Sequence, residues 1–234
     1  MAVSIPGIVS AALSKQKGKK ITLSDNDVVL FQGDSITDMG RNRNAKDANS
    51  NSGLGPGYPL IAGSELLYKY PGKHLQIYNR GISGNKVFQL ADRWEEDCLA
   101  LKPTVLSILV GVNDYWHTLT GGYKGTLQTY RDDYRALLER TRKQFPDIKL
   151  IIGEPYAVRG VKAVDDSWFP TFTGYQQAAR EIADSFGAAF IPYQHIYDQA
   201  QKSAPASYWT PDGVHPGAAG DALMAHAWLE TIKG

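Results

Sequence analysis

Short β-rich runs alternate along the chain with longer amphipathic helical patterns, and this alternation constrains the fold more than any other feature. The predicted strands are residues 28–32, 75–79, 104–110, 149–153 and 188–191. The predicted helices are residues 58–70, 86–99, 126–145, 172–186 and 218–232. Strands that are joined through helices form parallel sheets with helices on both faces. The sequence therefore predicts an α/β protein built on a covered parallel sheet.

The size and composition of the chain fit an ordinary globular domain. With 234 residues, of which 43% are hydrophobic, the chain can bury a sizeable core. No repeat or linker-like stretch divides the sequence, so we expect one domain over residues 21–234 after an N-terminal arm of residues 1–20. The basic run at residues 15–20 is interpreted as a solvated part of that arm. A net charge of +1 argues against binding to nucleic acids or membrane surfaces through bulk electrostatics.

The N-terminal residues leave the location of the protein open. Residues 1–9 are mildly apolar and are followed by Val9-Ser10-Ala11, which fits a small-residue cleavage pattern, but no positively charged segment precedes them. One interpretation is the remnant of an export signal, which would make the protein periplasmic or secreted. The other is an ordinary N-terminus of a cytoplasmic protein. No apolar stretch approaches the roughly 18 residues of a transmembrane helix.

Several residues that attract notice are expected in the core. The single cysteine, Cys98, excludes an intrachain disulfide and a cysteine-based metal cage. Its helical spacing from Leu90 and Trp94 indicates a small core residue. Trp94 and Trp228 lie on apolar helix stripes and are expected to be buried. The sequence contains no clustered ligand set, so no metal is predicted.

Polar, glycine-containing motifs follow three of the predicted strands, and a fourth motif precedes the last predicted helix. They are Gly33-Asp34-Ser35-Ile36-Thr37, Gly81-Ile82-Ser83-Gly84-Asn85, Gly111-Val112-Asn113-Asp114 and Asp212-Gly213-Val214-His215. In open parallel sheets, sites lie beyond the carboxyl ends of the strands. We therefore expect the four motifs to meet in one crevice.

The motifs contain the residue types that acyl transfer requires. Ser35, at a strand-to-helix turn, is the candidate nucleophile, and Asp212 lies close enough in sequence to orient His215 as its base. The backbone N–H groups of Ser35 and Gly84 and the side chain of Asn113 are candidate donors to an oxyanion. Taken singly, each has an ordinary structural interpretation: a helix cap, a loop histidine, a turn glycine and an Asx-turn asparagine. Their convergence at the expected crevice favours the catalytic interpretation.

The same blocks resemble those of the SGNH hydrolases, also called GDSL esterases. Residues 31–37 look like the first block, residues 79–85 the second, residues 111–114 the third and residues 212–216 the last. Gly84 falls at the oxyanion position of the second block. The resemblance, which runs over nearly the whole domain, implies a three-layer α/β/α sandwich with a flavodoxin-like sheet. It also implies ester hydrolysis without a metal or another cofactor.

Further stretches narrow the resemblance to a branch that contains acetylxylan esterases, which remove acetyl groups from xylo-oligosaccharides. They are residues 38–41, 54–58, 93–97 and 113–116. The loop at residues 38–56, rich in Asn and Ser over residues 43–52, matches less well and could alter specificity. The branch implies a serine esterase that deacetylates a small-molecule or oligosaccharide ester. The alternatives are a lysophospholipase or thioesterase-type acylhydrolase, and a catalytically inactive carbohydrate-binding protein. Nothing in the sequence decides between a monomer and a homo-oligomer.

Four residues next to the motifs are candidates for substrate contact. Tyr115, Trp116 and Trp209 could line a sugar-sized pocket, and packing under the motif loops is the alternative. His117 is a further candidate contact. Asp34, inside the first motif, is expected to orient the turn that carries the nucleophile.

Overall fold

A five-stranded parallel sheet forms the centre of the protein. In the computed structural model, which describes Gly7 and residues 19–233, its strands lie in the order β3-β2-β4-β5-β6, and a separate two-stranded sheet pairs β1 with β7. The strands are β1 Ile21–Thr22, β2 Val28–Gly33, β3 Gln76–Asn79, β4 Val105–Leu109, β5 Lys149–Gly153, β6 Ala189–Ile191 and β7 Ile232–Lys233. The predicted arm, its basic run and the export-signal hypothesis lie almost wholly outside the described residues.

One or more helices follow each strand of the large sheet. They are α1 Ser35–Asp38, α2 Asn51–Leu54, α3 Tyr58–Lys69, α4 Val87–Asp92, α5 Trp94–Asp97, α6 Val112–Thr120, α7 Leu127–Gln144, α8 Thr171–Ser185, α9 Tyr193–Ala200, α10 Ala206–Trp209 and α11 Ala218–Leu229, with 3₁₀ turns at Pro71–Lys73, Leu99–Leu101 and Asp166–Trp168. The fold is the α/β/α sandwich that the alternation of elements and the family resemblance predicted. In the part of the chain described, no helix has the length and apolar character that crossing a bilayer requires.

All five predicted strands of the large sheet are present, and their ends agree within one residue. The prediction worked because these strands are buried on both faces and read as continuous apolar runs. Every residue of β4 is buried, for example. The small sheet was not predicted, since β1 and β7 have two residues each and are too short to show a pattern. In it, Ile21 pairs with Ile232 and ties the start of the described domain to its end.

The predicted helix over residues 86–99 is wrong as a single helix. It is divided at Arg93 into α4 and α5. The backbone N–H of Arg93 donates to the carbonyl of Leu90, three residues back, so the last turn of α4 is tightened. The guanidinium of the same residue binds two loops at the carboxyl end of the sheet, as described below. The other four predicted helices agree within three residues at each end.

The expected core residues are buried. Trp94, Cys98 and Trp228 have no exposed surface. Both indole N–H groups are satisfied inside the core: Trp94 donates to the Thr141 hydroxyl at 2.9 Å, and Trp228 donates to the Ser107 hydroxyl of β4 at 2.9 Å. These bonds connect the flanking helices to one another and to the sheet beneath the crevice.

Candidate active site

Three of the four motifs meet because their strands are neighbours. β3, β2 and β4 lie side by side, and the motif loops leave their carboxyl ends at the same edge of the sheet. The turn after β2 is tightly packed: a Cβ on Gly33 would lie 2.3 Å from the carbonyl oxygen of Leu109 and 2.5 Å from the Thr37 hydroxyl. Only glycine fits that approach. The turn that carries Ser35 is therefore pressed against the end of β4.

Ser35 is the first residue of α1, and its neighbour Asp34 caps that helix. The Asp34 carboxylate accepts a hydrogen bond from the N–H of Ile36 at 3.0 Å. Capping by Asp34 leaves the Ser35 hydroxyl available for another partner. The alternative interpretation of Ser35 as the helix cap does not describe this turn, whereas the expected orienting role of Asp34 does.

His215 lies between Ser35 and Asp212. Its Nε2 atom is 2.8 Å from the Ser35 hydroxyl, and its Nδ1 atom is 2.7 Å from the Asp212 carboxylate. When Asp212 accepts the Nδ1 proton, Nε2 is left unprotonated and can accept the proton of Ser35. The spacing Asp-x-x-His thus produces the geometry that the sequence predicted.

The second oxygen of Asp212 organises the turn itself. It accepts hydrogen bonds from the N–H groups of Val214 and His215 at 2.9 and 2.7 Å. Burial alone would raise the pKa of Asp212, but the hydrogen bonds from the His215 ring and these backbone groups outweigh burial and lower the pKa. Asp212 is therefore a carboxylate at neutral pH.

Gly84 and Asn113 belong to the motifs that follow β3 and β4, the two neighbours of β2. Gly84 has φ +82°, a left-handed conformation, and a Cβ there would find only the His117 ring, at 4.0 Å. The space above its backbone is consequently open. Asn113 lies in the first turn of α6, is almost fully buried, and donates through Nδ2 to the carbonyl of Asn85 at 3.3 Å. That bond connects the two loops that carry the predicted donors.

Asp38, which sequence reasoning did not single out, connects the nucleophile helix to the Gly84 loop. One oxygen of its buried carboxylate accepts hydrogen bonds from the Ser83 N–H at 2.9 Å and the Ser83 hydroxyl at 2.7 Å, and also binds Arg43. Burial would raise the pKa of Asp38, but the bonds from Arg43 and Ser83 outweigh it and lower the pKa. Asp38 is thus an anion that holds Ser83 at a fixed position relative to α1.

Arg93 is a second connection that the motifs did not reveal. Its guanidinium donates to the Asn85 side chain at 2.8 Å, the Arg80 carbonyl at 2.8 Å and the Gly33 carbonyl at 3.4 Å, and forms an ion pair with Asp97 at 3.1 Å. It therefore joins the turn before Ser35 to the loop after Gly84. The only sequence signal was membership of the branch-like stretches at residues 38–41 and 93–97, which contain both Asp38 and Arg93.

Two buried carboxyl groups lie under the motif loops. Burial raises the pKa of Asp34 and of Asp114 to about 7. Asp114 accepts a hydrogen bond from the Val87 N–H at 3.2 Å, and its second oxygen has no partner within the described part of the chain. Charging either group in this apolar setting costs stability, which gives the site a measurable pH dependence.

The four predicted substrate contacts fall into two pairs. The ring of Trp116 is half-buried, 6.3 Å from the His215 ring and 5.8 Å from the Trp168 ring. His117 is the residue nearest to the open face of Gly84. Tyr115 is buried among aromatic rings and donates to the Ser167 carbonyl, and Trp209 is only 4% exposed and donates to the Ala204 carbonyl. Trp116 and His117 thus border the site, whereas Tyr115 and Trp209 occupy packing positions.

No group of three or more His, Cys, Asp or Glu side chains in the described ranges is arranged to hold a metal ion. The chemistry that the site offers resides in the Ser35, His215 and Asp212 side chains and in the surrounding hydrogen-bond donors.

Known proteins of one family are similar to this chain in sequence and in fold. Residues 31–223 match the GDSL-like Lipase/Acylhydrolase family. An acetylxylan esterase from Geobacillus stearothermophilus is 32% identical over 212 residues, which cover 90% of this chain and 95% of that protein. Its crystal structure has a TM-score of 0.82 at 30% identity, covering 92% of this chain and 97% of the other. Structures of that enzyme include two described as catalytic mutants, one with a serine and one with a histidine replaced by alanine.

A second solved structure is more similar in sequence. A putative GDSL-like lipase from Parabacteroides merdae is 51% identical, with a TM-score of 0.89 and coverage of 91% of this chain and 98% of the other. The family match spans most of the chain, and both relatives are covered almost end to end. The chain therefore belongs to the GDSL-like lipase/acylhydrolase family and is an acyl ester hydrolase.

Proposed function

We propose that this protein is a serine esterase that removes acetyl groups from acetylated carbohydrates such as xylo-oligosaccharides. The observation that carries the proposal is the continuous hydrogen-bond chain from Asp212 through His215 to Ser35, with distances of 2.7 and 2.8 Å. The carbohydrate substrate is supported by the relative whose name is acetylxylan esterase.

Hydrolysis begins with attack of the Ser35 oxygen on the ester carbonyl carbon while His215 Nε2 takes the hydroxyl proton. The negative charge that develops on the carbonyl oxygen is stabilised by hydrogen bonds that the N–H groups of Ser35 and Gly84 and the Asn113 amide donate to it. His215 then gives its proton to the departing sugar oxygen, which leaves an acetyl group on Ser35. A water molecule that loses a proton to the same histidine releases acetate and restores the serine.

The surroundings of His215 favour a short acyl group. The indole of Trp116 lies beside the imidazole, and it is backed by the buried ring of Trp168. This pair restricts the volume next to the reacting groups. A lysophospholipase or thioesterase would instead need a long apolar channel for the acyl chain at this position.

The proposal is tested by two substrate series on the purified protein. Nitrophenyl esters of increasing chain length should show kcat/KM highest for acetate and falling sharply beyond it. A panel of acetylated glycans should show acetate release, with acetylated xylo-oligosaccharides among the substrates. Preference for long acyl chains would identify the acylhydrolase alternative, and binding of glycans without turnover of any ester would identify a non-catalytic carbohydrate-binding protein.

A further inference from the structure

A partly exposed aromatic pair is formed by two residues that follow the Gly84 and Asn113 motifs in the chain. Phe88, in α4, and Tyr123, in the loop after α6, stack with ring centroids 5.8 Å apart and planes inclined by 19°. Phe88 is 37% exposed and Tyr123 is half-buried. We call these two residues the aromatic shelf. Apolar surface left exposed beside a reaction centre commonly marks a ligand contact.

The shelf is held rigidly from behind. The ring of Tyr123 lies against Gly125, where a Cβ would approach it to 2.3 Å, so one side of this ring is covered by backbone. The ammonium group of Lys86 lies 5.0 Å from the Tyr123 ring centroid and 5.8 Å from that of Phe88. Lys86 itself is buried and braces the pair. The outer surface of Phe88 remains available to a ligand.

A short stretch of chain and a backbone hydrogen bond connect the shelf to the proposed oxyanion site. Phe88 follows Gly84 by four residues, across the turn that opens α4. Tyr123 donates its backbone N–H to the carbonyl of His117 at 3.1 Å, and the ring of His117 is the nearest group to the open face of Gly84. A ligand whose ester carbonyl reaches Gly84 can therefore extend past His117 onto the shelf.

The chemistry of the shelf fits a sugar ring better than an alkyl chain. The axial C–H groups of a pyranose give it an apolar face that packs flat on an aromatic ring, while its hydroxyls point outward around the rim. Polar residues accompany the shelf: His117 is partly exposed, and so is Gln89, whose Oε1 atom accepts hydrogen bonds from Lys86. An alkyl chain would offer these polar groups no hydrogen-bond partner.

We propose that the aromatic shelf binds a neighbouring sugar unit of the oligosaccharide that carries the reacting acetyl group. The inference rests on the proposed function for the identity of the sugar, but the contact does not require turnover. Phe88 supplies the stacking surface, and Tyr123 and Lys86 keep that surface in place. The shelf thereby favours oligosaccharides over single acetylated sugars.

The test measures binding of unacetylated xylotetraose by titration calorimetry to a Ser35→Ala parent and to three derivatives of it. In the first, Phe88→Ala removes the stacking surface, and affinity should fall roughly tenfold. The matched control is Tyr68→Ala in α3, another exposed aromatic residue at 84% exposure, and it should bind as the parent does. A Phe88→Trp derivative retains a flat ring and should retain binding. Thermal melts establish that all variants are folded.

The outcomes separate this inference from the proposed function. Three outcomes would overturn the proposal that the shelf binds a sugar. The Phe88→Ala derivative could bind as tightly as the parent, or the Tyr68→Ala control could lose as much affinity as Phe88→Ala. The third is that the parent does not bind xylotetraose. Acetate release by the wild-type protein is measured in parallel. A protein that binds xylotetraose through Phe88 but releases no acetate supports the shelf and rejects the deacetylase. If the wild-type protein releases acetate and the Phe88→Ala derivative binds xylotetraose normally, the deacetylase function is supported and the shelf is rejected.

Discussion

His215 can activate Ser35 only through a ring nitrogen that carries no proton, and Asp212 determines which nitrogen that is. The lowered pKa of Asp212 keeps it ionised over the working pH range, so it accepts the Nδ1 proton throughout. The ionised carboxylate therefore holds the imidazole in the tautomer whose Nε2 atom can accept the Ser35 proton.

Replacement of Asp212 by Asn removes the carboxylate that determines which ring nitrogen of His215 carries the proton. An amide can donate to Nδ1 and so favour the unproductive tautomer, and in the serine-protease template the equivalent change lowers kcat by about 10⁴. We expect a loss of roughly 10³–10⁴ in kcat with a much smaller change in KM. Steady-state kinetics on an acetyl ester measures both constants. A variant with nearly normal kcat would show that Asp212 does not orient the base.

Asp114 gives a prediction about stability rather than rate. Its raised pKa means that the folded protein holds a proton that the unfolded chain has lost between the ordinary carboxyl pKa and about 7. Stability that depends on this proton is present at low pH and is lost as pH rises toward 7. Asp114→Asn cannot ionise, so its stability relative to wild type should improve by up to roughly 1.4 kcal/mol per pH unit across that window.

Urea unfolding of both proteins at pH 5 and at pH 8 measures this difference. The amide oxygen that Asp114→Asn introduces can still accept the Val87 N–H, so the variant should fold. Parallel pH dependence of the two proteins would show that Asp114 is charged in the folded state.

At the scale of elements, the strand ends bring the loops together, and side-chain bonds between the loops set their final positions. Asp38 is the clearest case, because its carboxylate lies on the same four-residue helix as Ser35 and binds both donor groups of Ser83, next to Gly84. Asp38 thereby fixes the relative positions of two of the proposed oxyanion donors, the N–H groups of Ser35 and Gly84.

We expect Asp38→Ala to lower kcat by about tenfold to a hundredfold. This loss is no larger than the loss in kcat that removal of an oxyanion donor causes. Since Asp38 acts through the position of Gly84, the loss should fall on kcat rather than on KM. Ser83→Ala is the matched variant: it deletes the hydroxyl bond but keeps the backbone bond, so its loss should be smaller. If Asp38→Ala instead raised KM by as large a factor as it lowered kcat, and melted at a much lower temperature, the carboxylate would have a purely structural role.

Trp116, in the first half of α6, gives a second prediction at this scale. If its indole contacts a sugar, Trp116→Ala should reduce kcat/KM for acetylated xylo-oligosaccharides more than for a small acetyl ester. Opening of the volume beside His215 should also raise the relative rate on longer acyl chains. Equal losses on both substrates together with lower thermal stability would show that Trp116 serves to pack against Trp168.

The elements that the sequence predicted well were those with one persistent pattern, either a continuous apolar run or a helical period. The buried strands and the long amphipathic helices, such as α7, could be read directly because one pattern persists over several turns or a whole strand. The division of residues 86–99 could not be read, because apolar spacing continues through Arg93 while its side chain binds loops distant in sequence. Helix α6 was missed because it begins inside the Asn113 motif, where the sequence indicated a turn.

The candidate site could be predicted in its motifs but not in its connections. Ser35, Gly84, Asn113 and His215 belong to blocks whose residue types match a known chemistry. Asp38 and Arg93 have no such signature, and each has one partner that is distant in sequence: Ser83 lies 45 residues from Asp38, and Gly33 lies 60 residues from Arg93. Tyr115 and Trp116 illustrate the limit at a finer level, since adjacent residues on one helix face different environments and only the packing distinguishes them.

In the molecule as a whole, the geometry of the crevice depends on contacts made by the C-terminal elements α11 and β7. The β1–β7 pair joins Ile21 to Ile232, and α11, which precedes β7, packs against α3. The fourth motif lies just before α11, so the position of His215 over Ser35 depends on how this C-terminal helix is held. Asp221 in α11 accepts the N–H of Tyr58 at the start of α3 at 3.0 Å, which fixes the two helices to each other.

If Ser35 attacks the acetyl carbonyl of a sugar ester, acetate release from acetylated xylo-oligosaccharides should depend on its hydroxyl group. The measurement compares wild type with Ser35→Ala at equal protein concentration, after circular dichroism and melting curves have shown that both are folded. We expect sustained acetate release by wild type and a loss of at least about 10³ in rate for the variant. Release by Ser35→Ala at a rate close to that of wild type would contradict this role of Ser35.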